Sequence, residues 1–232
     1  MDSNVNLIVE KLKKIPYYEG IIYAGSRIEG DSSRTSDYDF TVLVSQGKSY
    51  YRTFRYKGLM VDICCATEKV IAKNDLVRDR ISNAELYIIA HGEIVYDKSG
   101  KIKAIQNKAK KVWGLGPKKL SRKDLIEAGY ICTVYLHKLS KKDSENAFYL
   151  WNEIMQKTTE LFFELHNIWQ PKFFLVEKAI KVTDRDFFKL YKKIYIADSA
   201  DRVKLTKKMI KYLVEKFKLP QSGEMYFSKD EN

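Results

Sequence analysis

The sequence predicts an α+β (mixed α/β) protein in two domains. A small mixed β-sheet domain with flanking helices covers residues 1–116, and an all-α helical bundle covers residues 117–232. Helical and extended patterns alternate in the first domain. In the second, apolar residues recur at intervals of three and four, which is typical of amphipathic helices in a bundle. Gly114, Gly116 and Pro117 concentrate chain breakers between the two patterns and mark the boundary.

The first domain begins with a predicted amphipathic helix over residues 1–14. Its apolar side chains share one face: Val5, Ile8, Val9 and Leu12. Apolar and β-branched runs then predict strands at 20–24, 40–44, 50–56 and 59–65. Lys57-Gly58 predicts a hairpin turn between the last two strands.

The rest of the first domain is less regular. A helix is expected over residues 68–75, with a helical stretch through Arg80. Residues 86–97 allow two interpretations, either extended segments around His91-Gly92 or a helix end followed by a strand. A basic helix is expected over residues 102–112.

In the second domain, start and stop signals separate the predicted helices. Ser121 and Asp124 resemble a capping box that opens a helix towards Ser140. The longest apolar periodicity runs from Ala147 to Trp169 and stops at Pro171. Further helices are expected after the start signal at 183–186 and over residues 199–217.

Composition narrows the function classes. No apolar stretch is long enough to span a bilayer, and no signal peptide precedes the first helix, so a cytoplasmic protein without a membrane role is expected. The three cysteines and three histidines show no metal-site spacing. The net charge of +12 attracts anions such as nucleotides or RNA, although lysines are scattered over almost every segment. Nucleic-acid binding therefore stays open.

A pair of aspartates carries the sharpest functional signal. Asp37 and Asp39 stand at the head of the strand at 40–44, and Gly25-Ser26 precedes them by ten intervening residues. Side chains two apart in a strand point to the same side, so the two carboxylates emerge together and repel unless a cation lies between them. Hard divalent ions such as Mg²⁺ take oxygen ligands of this kind and often hold substrate phosphates as well. The pattern predicts metal-dependent phosphoryl or nucleotidyl transfer.

Gly25-Ser26, the spacer and Ser36-Asp37-Tyr38-Asp39 resemble the signature of the nucleotidyltransferase superfamily, which includes DNA polymerase β and the antibiotic nucleotidyltransferases. That family carries a third carboxylate on a nearby strand, and Asp62 lies in the apolar run 59–65. The resemblance implies that Asp37, Asp39 and Asp62 are catalytic and bind two Mg²⁺ ions. It also implies a nucleotide site formed by Gly25, Ser26, Arg27 and Ser36, with an NTP (ATP or another) as donor.

Several alternatives remain at this point. Asp62 can instead form a structural ion pair with Arg55 across the hairpin. The general base is either Asp62 or a glutamate of the helical domain, for which the candidates are Glu127, Glu145 and Glu153. The acceptor hydroxyl belongs to a small molecule, a tRNA or a protein. The rival function is a non-catalytic module that keeps the fold and binds nucleotide or RNA. A homodimer is expected only because two-fold dimers are common.

Overall fold

The computed structural model describes residues 2–29, 37–78, 81–140 and 147–221. The chain divides into two compact units, residues 1–116 and 117–232. The first unit is built on a five-stranded mixed sheet and the second is helical, which confirms the predicted α+β class.

The sheet of the first unit has the strand order β3-β4-β2-β1-β5. Its central strands β2 and β4 run parallel, and the other neighbours are antiparallel. The strands are β1 (Tyr18–Ala24), β2 (Tyr38–Val44), β3 (Tyr50–Tyr56), β4 (Leu59–Thr67) and β5 (Glu93–Asp97). Each predicted strand is confirmed: β3 has the predicted bounds, and β1, β2 and β4 are each longer than predicted by two residues. The parallel β2–β4 pair is the feature that places the site.

The turn between β3 and β4 shows why this hairpin forms. Lys57 and Gly58 have φ angles of 51° and 83°, and Tyr56 pairs directly with Leu59. Two central residues with positive φ match the right-handed twist of the flanking strands. The predicted hairpin is therefore confirmed, and it sends β4 back alongside β2.

One face of the sheet is covered by α1 (Ser3–Leu12), which Asp2 caps by accepting a hydrogen bond from Asn4 N–H at 2.9 Å. The four apolar residues predicted for this helix are all buried in the core: Val5, Ile8, Val9 and Leu12. They pack with the alternate strand residues that point to the same side, among them Tyr38, Phe40, Val61 and Ile63. This face is the hydrophobic core behind the site.

The other face of the sheet is covered by α4 (Ala84–His91) and α5 (Lys101–Gly114). In the chain, β5 lies between these two helices, and it forms one edge of the sheet. Asn83 begins α4 by accepting a hydrogen bond from Leu86 N–H at 2.9 Å. The side-chain amide of Gln106 on α5 donates to the carbonyls of Ile89 and Gly92, at 3.2 and 2.8 Å. Of the two interpretations of this segment, a helix end followed by a strand is therefore correct.

The segment after β4 differs in part from its prediction. A short α-helix, α3 (Glu68–Val70), continues as a π-helical turn, Ile71–Asp75, and residues 76–78 are not helical. The helical stretch expected through Arg80 is therefore wrong for residues 76–78, while Arg80 itself lies outside the described residues.

In the second unit the described helices are α6 (Arg122–Lys138), α7 (Ala147–Leu165), α8 (Val176–Thr183), α9 (Arg185–Ile196) and α10 (Ser199–Lys216). The capping box of α6 is present, because Ser121 and Asp124 each accept a hydrogen bond from the other's backbone N–H. Asp184 caps α9 and is buried. Sequence patterns did not predict α8. Within the described residues no helix is both long and apolar enough to cross a bilayer.

Candidate metal centre on two parallel strands

Three aspartates converge on the sheet face that lies opposite α1. Asp37 immediately precedes β2, Asp39 is its second residue, and the parallel register places Asp39 directly beside Asp62 of β4. Each aspartate offers one carboxylate oxygen, and these three oxygens lie within 4.8 Å of one another. Among the described residues, no other group of three or more His, Cys, Asp or Glu side chains is arranged to hold a metal. The predicted convergence of the three carboxylates is thus present.

Asp62 has an oxygen that no described residue satisfies. Its Oδ1 is buried and has no hydrogen-bond partner among the described residues. The alternative ion pair with Arg55 is absent: both residues are described, no ion pair joins them, and the hairpin register places Thr53 opposite Asp62 and Arg55 opposite Met60. A buried carboxylate oxygen without a partner costs free energy unless a ligand supplies the contact.

Gly25 makes room for the second carboxylate. It follows the last residue of β1 and has a φ of +96°, and a Cβ atom at this position would collide with the Asp39 carboxylate. Only glycine combines this backbone conformation with so close an approach. The fold therefore brings the β1 turn directly against the acidic cluster.

The cluster fits a hard divalent cation. All of its donors are carboxylate oxygens, which suit Mg²⁺, Mn²⁺ or Ca²⁺ better than softer metals. The orphaned Asp62 Oδ1 and the tight Gly25–Asp39 contact are the two independent signs of this fit. The acidic triad can thus bind a divalent metal.

The residues predicted for nucleotide binding are only partly visible. Ser26 begins the short helix α2 (Ser26–Glu29) directly after Gly25. Arg27 Nε donates a hydrogen bond to the backbone carbonyl of Asp37 at 3.2 Å, and its guanidinium lies 4.2 Å from the ring centre of Tyr38. Ser36 lies outside the described residues. Nucleotide binding by these four residues stays a prediction.

A groove of about 260 Å³ opens beside two of the carboxylates, on the β3–β4 side. Its lining includes Asp39, Thr41, Thr53, Asp62, Cys64 and Ile88. At its β3 wall, Tyr51 donates a hydrogen bond from its hydroxyl to Glu85 of α4 at 3.2 Å. Burial raises the pKa of the Cys64 thiol, which keeps it protonated at neutral pH.

Sequence reasoning missed the groove residues, although a signal was present. Thr41 and Cys64 each lie two positions after a site aspartate on the same strand, so they face the same side. Thr53 follows from the hairpin register once the turn is fixed at Lys57-Gly58.

A second, smaller hollow of about 130 Å³ lies on the β1 side of the cluster. It is lined by Ala24, Gly25, Ile28, Tyr87, Ile88, His91 and Gly92. Because β1 and β4 flank β2 in the sheet, the two hollows lie on opposite sides of the aspartates and share only Ile88.

Of the remaining candidates, those that the structure describes are not members of the acidic cluster, although His91 lines the smaller hollow beside it. His91 stacks on Tyr87, and His166 packs against Phe162 in the second unit, which agrees with structural roles. Glu127 lies on α6 and Glu153 on α7. Glu145 lies outside the described residues.

A comparison with known proteins finds a solved structure with a similar fold. The chain is similar to the crystal structure of a nucleotidyltransferase-like protein from Exiguobacterium sibiricum 255-15, with a TM-score of 0.52 and 13% sequence identity. The similarity covers 91% of this chain and 73% of the other. At this identity it shows a shared fold. No protein-family model matches the chain, and no curated protein matches it.

Proposed function

We propose that the protein is a Mg²⁺-dependent nucleotidyltransferase. It moves a nucleoside monophosphate from an NTP to a hydroxyl group of an acceptor and releases pyrophosphate. The observation that carries this proposal is the convergence of three carboxylate oxygens within 4.8 Å, one of them on a residue with an unsatisfied buried oxygen. The fold shared with a nucleotidyltransferase-like protein and the Gly25-Ser26 turn beside the cluster support it.

The chemistry assigns a role to each aspartate. Bound Mg²⁺ would neutralise the triphosphate and favour ionisation of the attacking hydroxyl. Asp37, directly before β2, Asp39 of β2 and Asp62 of β4 would together hold the metal. The acceptor oxygen attacks the α-phosphorus, the bond from that phosphorus to the β-phosphate oxygen breaks, and pyrophosphate leaves.

The proton of the acceptor hydroxyl needs a base. Asp62 has two carboxylate oxygens, so it can hold the metal and also take this proton. Asp62 is therefore our choice over the glutamates Glu127 and Glu153.

The two hollows suggest where the reactants bind. We assign the triphosphate to the smaller hollow on the β1 side, which Gly25 lines, with Ser26 the next residue along the chain. We assign the acceptor hydroxyl to the groove beside Asp62. This groove has a volume of about 260 Å³, which admits one side chain, sugar or base. The acceptor's identity, whether a small molecule, an RNA or a protein, stays open in this proposal.

The test is transfer of radioactive label. The purified protein is incubated with each NTP labelled at the α-phosphate, with Mg²⁺ or EDTA, and with a cell extract as the source of acceptor. We expect label on one class of acceptor with Mg²⁺ only, and no transfer when the label is at the γ-phosphate.

Two variants make this test specific. Asp37→Asn should abolish transfer, because it removes a metal-holding charge from the site. Asp186→Asn is the matched control, since its carboxylate is exposed and pairs with Lys189 on the surface of α9. Equal transfer by Asp37→Asn and wild type would reject the proposed site, and NTP binding without any transfer would favour the non-catalytic module.

A further inference from the structure

We propose that Tyr38 is a positioning residue that holds the acidic cluster in place through Arg27. The inference rests on the proposed function for the role of the acidic cluster. Its evidence consists of contacts of Tyr38 and Arg27 that do not depend on that function. Tyr38 stands between the two aspartates of the motif.

Tyr38 lies behind the site rather than in it. Successive side chains of a strand alternate between faces, so its ring points away from the side taken by Asp37 and Asp39. The ring is only 2% exposed and belongs to the core cluster beneath α1. Tyr38 therefore acts on the site through its neighbours.

The hydroxyl of Tyr38 fixes the ring to the start of the chain. Asn4 Nδ2 donates a hydrogen bond to this oxygen at 2.9 Å, and the hydroxyl donates to Asp2 Oδ2 at 3.2 Å. Asp2 also caps α1, so both contacts come from an ordered helix start. The Tyr38 ring also stacks with the ring of Tyr23 of β1, with 6.4 Å between the two ring centres.

The Tyr38 ring also contacts the side chain of Arg27. The guanidinium lies 4.2 Å from the ring centre of Tyr38, a distance typical of a cation–π contact. From there, Arg27 Nε donates to the carbonyl of Asp37 at 3.2 Å. Arg27 thus ties the turn after Gly25 to the backbone of the first metal-holding residue.

These contacts form one continuous support from α1 to the acidic cluster. The path runs from the helix start at Asp2 and Asn4, through Tyr38, to Arg27 and the Asp37 backbone. Partners of this kind orient metal ligands, and their loss commonly weakens metal binding by about 10- to 100-fold. On this account Arg27 supports the aspartates through its Nε–H and through the contact of its guanidinium with the Tyr38 ring.

The first test reads the contact itself, in the metal-free protein. In the wild type, the NMR signals of the Arg27 guanidinium should be shifted by the ring current, and its Nε–H should exchange slowly. Tyr38→Phe keeps the ring and should keep the ring-current shift, whereas Tyr38→Leu should lose both features. A wild-type Arg27 that behaves like a free arginine overturns the proposal, whatever the enzyme does.

The second test measures Mn²⁺ affinity without nucleotide. Tyr38→Leu should weaken binding by about tenfold, while circular dichroism shows an intact fold. Tyr56→Leu is the matched control, because the ring of Tyr56 also makes a cation–π contact, with Lys11 Nζ 4.0 Å from its centre. Tyr56 lies on β3, away from the aspartates. This control variant should leave Mn²⁺ affinity unchanged, and an equal loss in both variants contradicts the proposal.

A double-mutant cycle shows whether Tyr38 acts through Arg27. If it does, the combined Arg27→Ala and Tyr38→Leu protein binds Mn²⁺ within about twofold of Arg27→Ala alone. Independent, multiplied losses overturn the proposed path. Absence of nucleotidyl transfer together with these results would reject the proposed function and leave the positioning role standing.

Discussion

Replacement of Gly25 by alanine tests whether the close approach of β1 to the acidic cluster matters for function. Gly25 has a φ of +96°, and Gly47, in the loop after β2, has a φ of +94°. A Cβ at Gly25 would collide with the Asp39 carboxylate, whereas a Cβ at Gly47 would have nothing within 4 Å. Gly47→Ala is therefore a control with the same backbone strain and no steric effect.

The structure gives the size of the expected effects. Alanine at a left-handed position costs about 1–2 kcal/mol, so both variants should lose a similar amount of stability. At Gly25, the new Cβ would also lie 3.0 Å from Asp39 Cγ, where carbon atoms prefer about 3.5–4.0 Å. The carboxylate must move by roughly half an ångström or more, and misplacement of about 1 Å can cost 100-fold in rate. We expect Gly25→Ala to reduce kcat/KM by about 10- to 100-fold.

Two measurements separate the effects. Thermal unfolding reports the shared backbone strain, and Mn²⁺ affinity together with label transfer reports the displacement of Asp39. Only Gly25→Ala should lose metal affinity and transfer. The reasoning is refuted if folded Gly25→Ala keeps wild-type affinity and rate, or if Gly47→Ala loses as much of either.

Three further expectations concern charge and burial. Asp62→Asn should raise the melting temperature in EDTA, because it removes a like charge from the cluster and replaces a buried charged oxygen by a neutral amide atom; a lower melting temperature contradicts this. In the second unit, burial favours the neutral form of Asp184, but hydrogen bonds from Lys216 Nζ, the Phe187 N–H and the Tyr212 hydroxyl outweigh it and hold the pKa of Asp184 below its usual value. Asp184→Asn should therefore lower the free energy of unfolding at pH 7 by about 1–3 kcal/mol. A carboxyl group whose pKa is lowered by folding stabilises the fold at pH values above its pKa in the unfolded chain, which is about 4. The difference in unfolding free energy between the wild type and Asp184→Asn should therefore shrink as the pH falls below that value. A difference that stays constant down to about pH 2 would contradict this expectation. Burial raises the pKa of Cys132 to about 11, so iodoacetamide at pH 7.5 should label it only after unfolding, as mass spectrometry can show.

Local patterns predicted much of the fold because local interactions decide those elements. The four apolar residues of α1 share one helical face in any packing, and Lys57-Gly58 specifies its turn without outside help. Asp184 likewise caps α9 with its own side chain, since it accepts from Phe187 N–H at 3.0 Å. Such elements can be found from the sequence alone.

The segment at 86–90 shows where local patterns are insufficient. Its continuous apolar run suits a buried strand and a buried helix equally well. The cap from Asn83 and the contacts of Gln106, which comes from a different helix, favour the helical form. Tertiary contacts of this kind cannot be derived from the periodicity of the segment itself.

The site divides in the same way. The spacing of Asp37 and Asp39 at the start of β2 follows from the sequence, but the position of Asp62 depends on β4 pairing with β2 in parallel. The family resemblance, not the pattern, supplied that third carboxylate. The contact of Arg27 with Tyr38 was not predicted, because it depends on a short helix folding back over the strand.

A titration with Mn²⁺ tests the central claim most directly, because it asks whether the three carboxylates form one metal centre. Electron paramagnetic resonance would follow free Mn²⁺ with the wild type, Asp62→Asn and the surface control Asp186→Asn. We predict saturable binding that competes with Mg²⁺, persists in Asp186→Asn and is lost in Asp62→Asn. Equal binding by all three proteins would contradict a metal centre built from Asp37, Asp39 and Asp62.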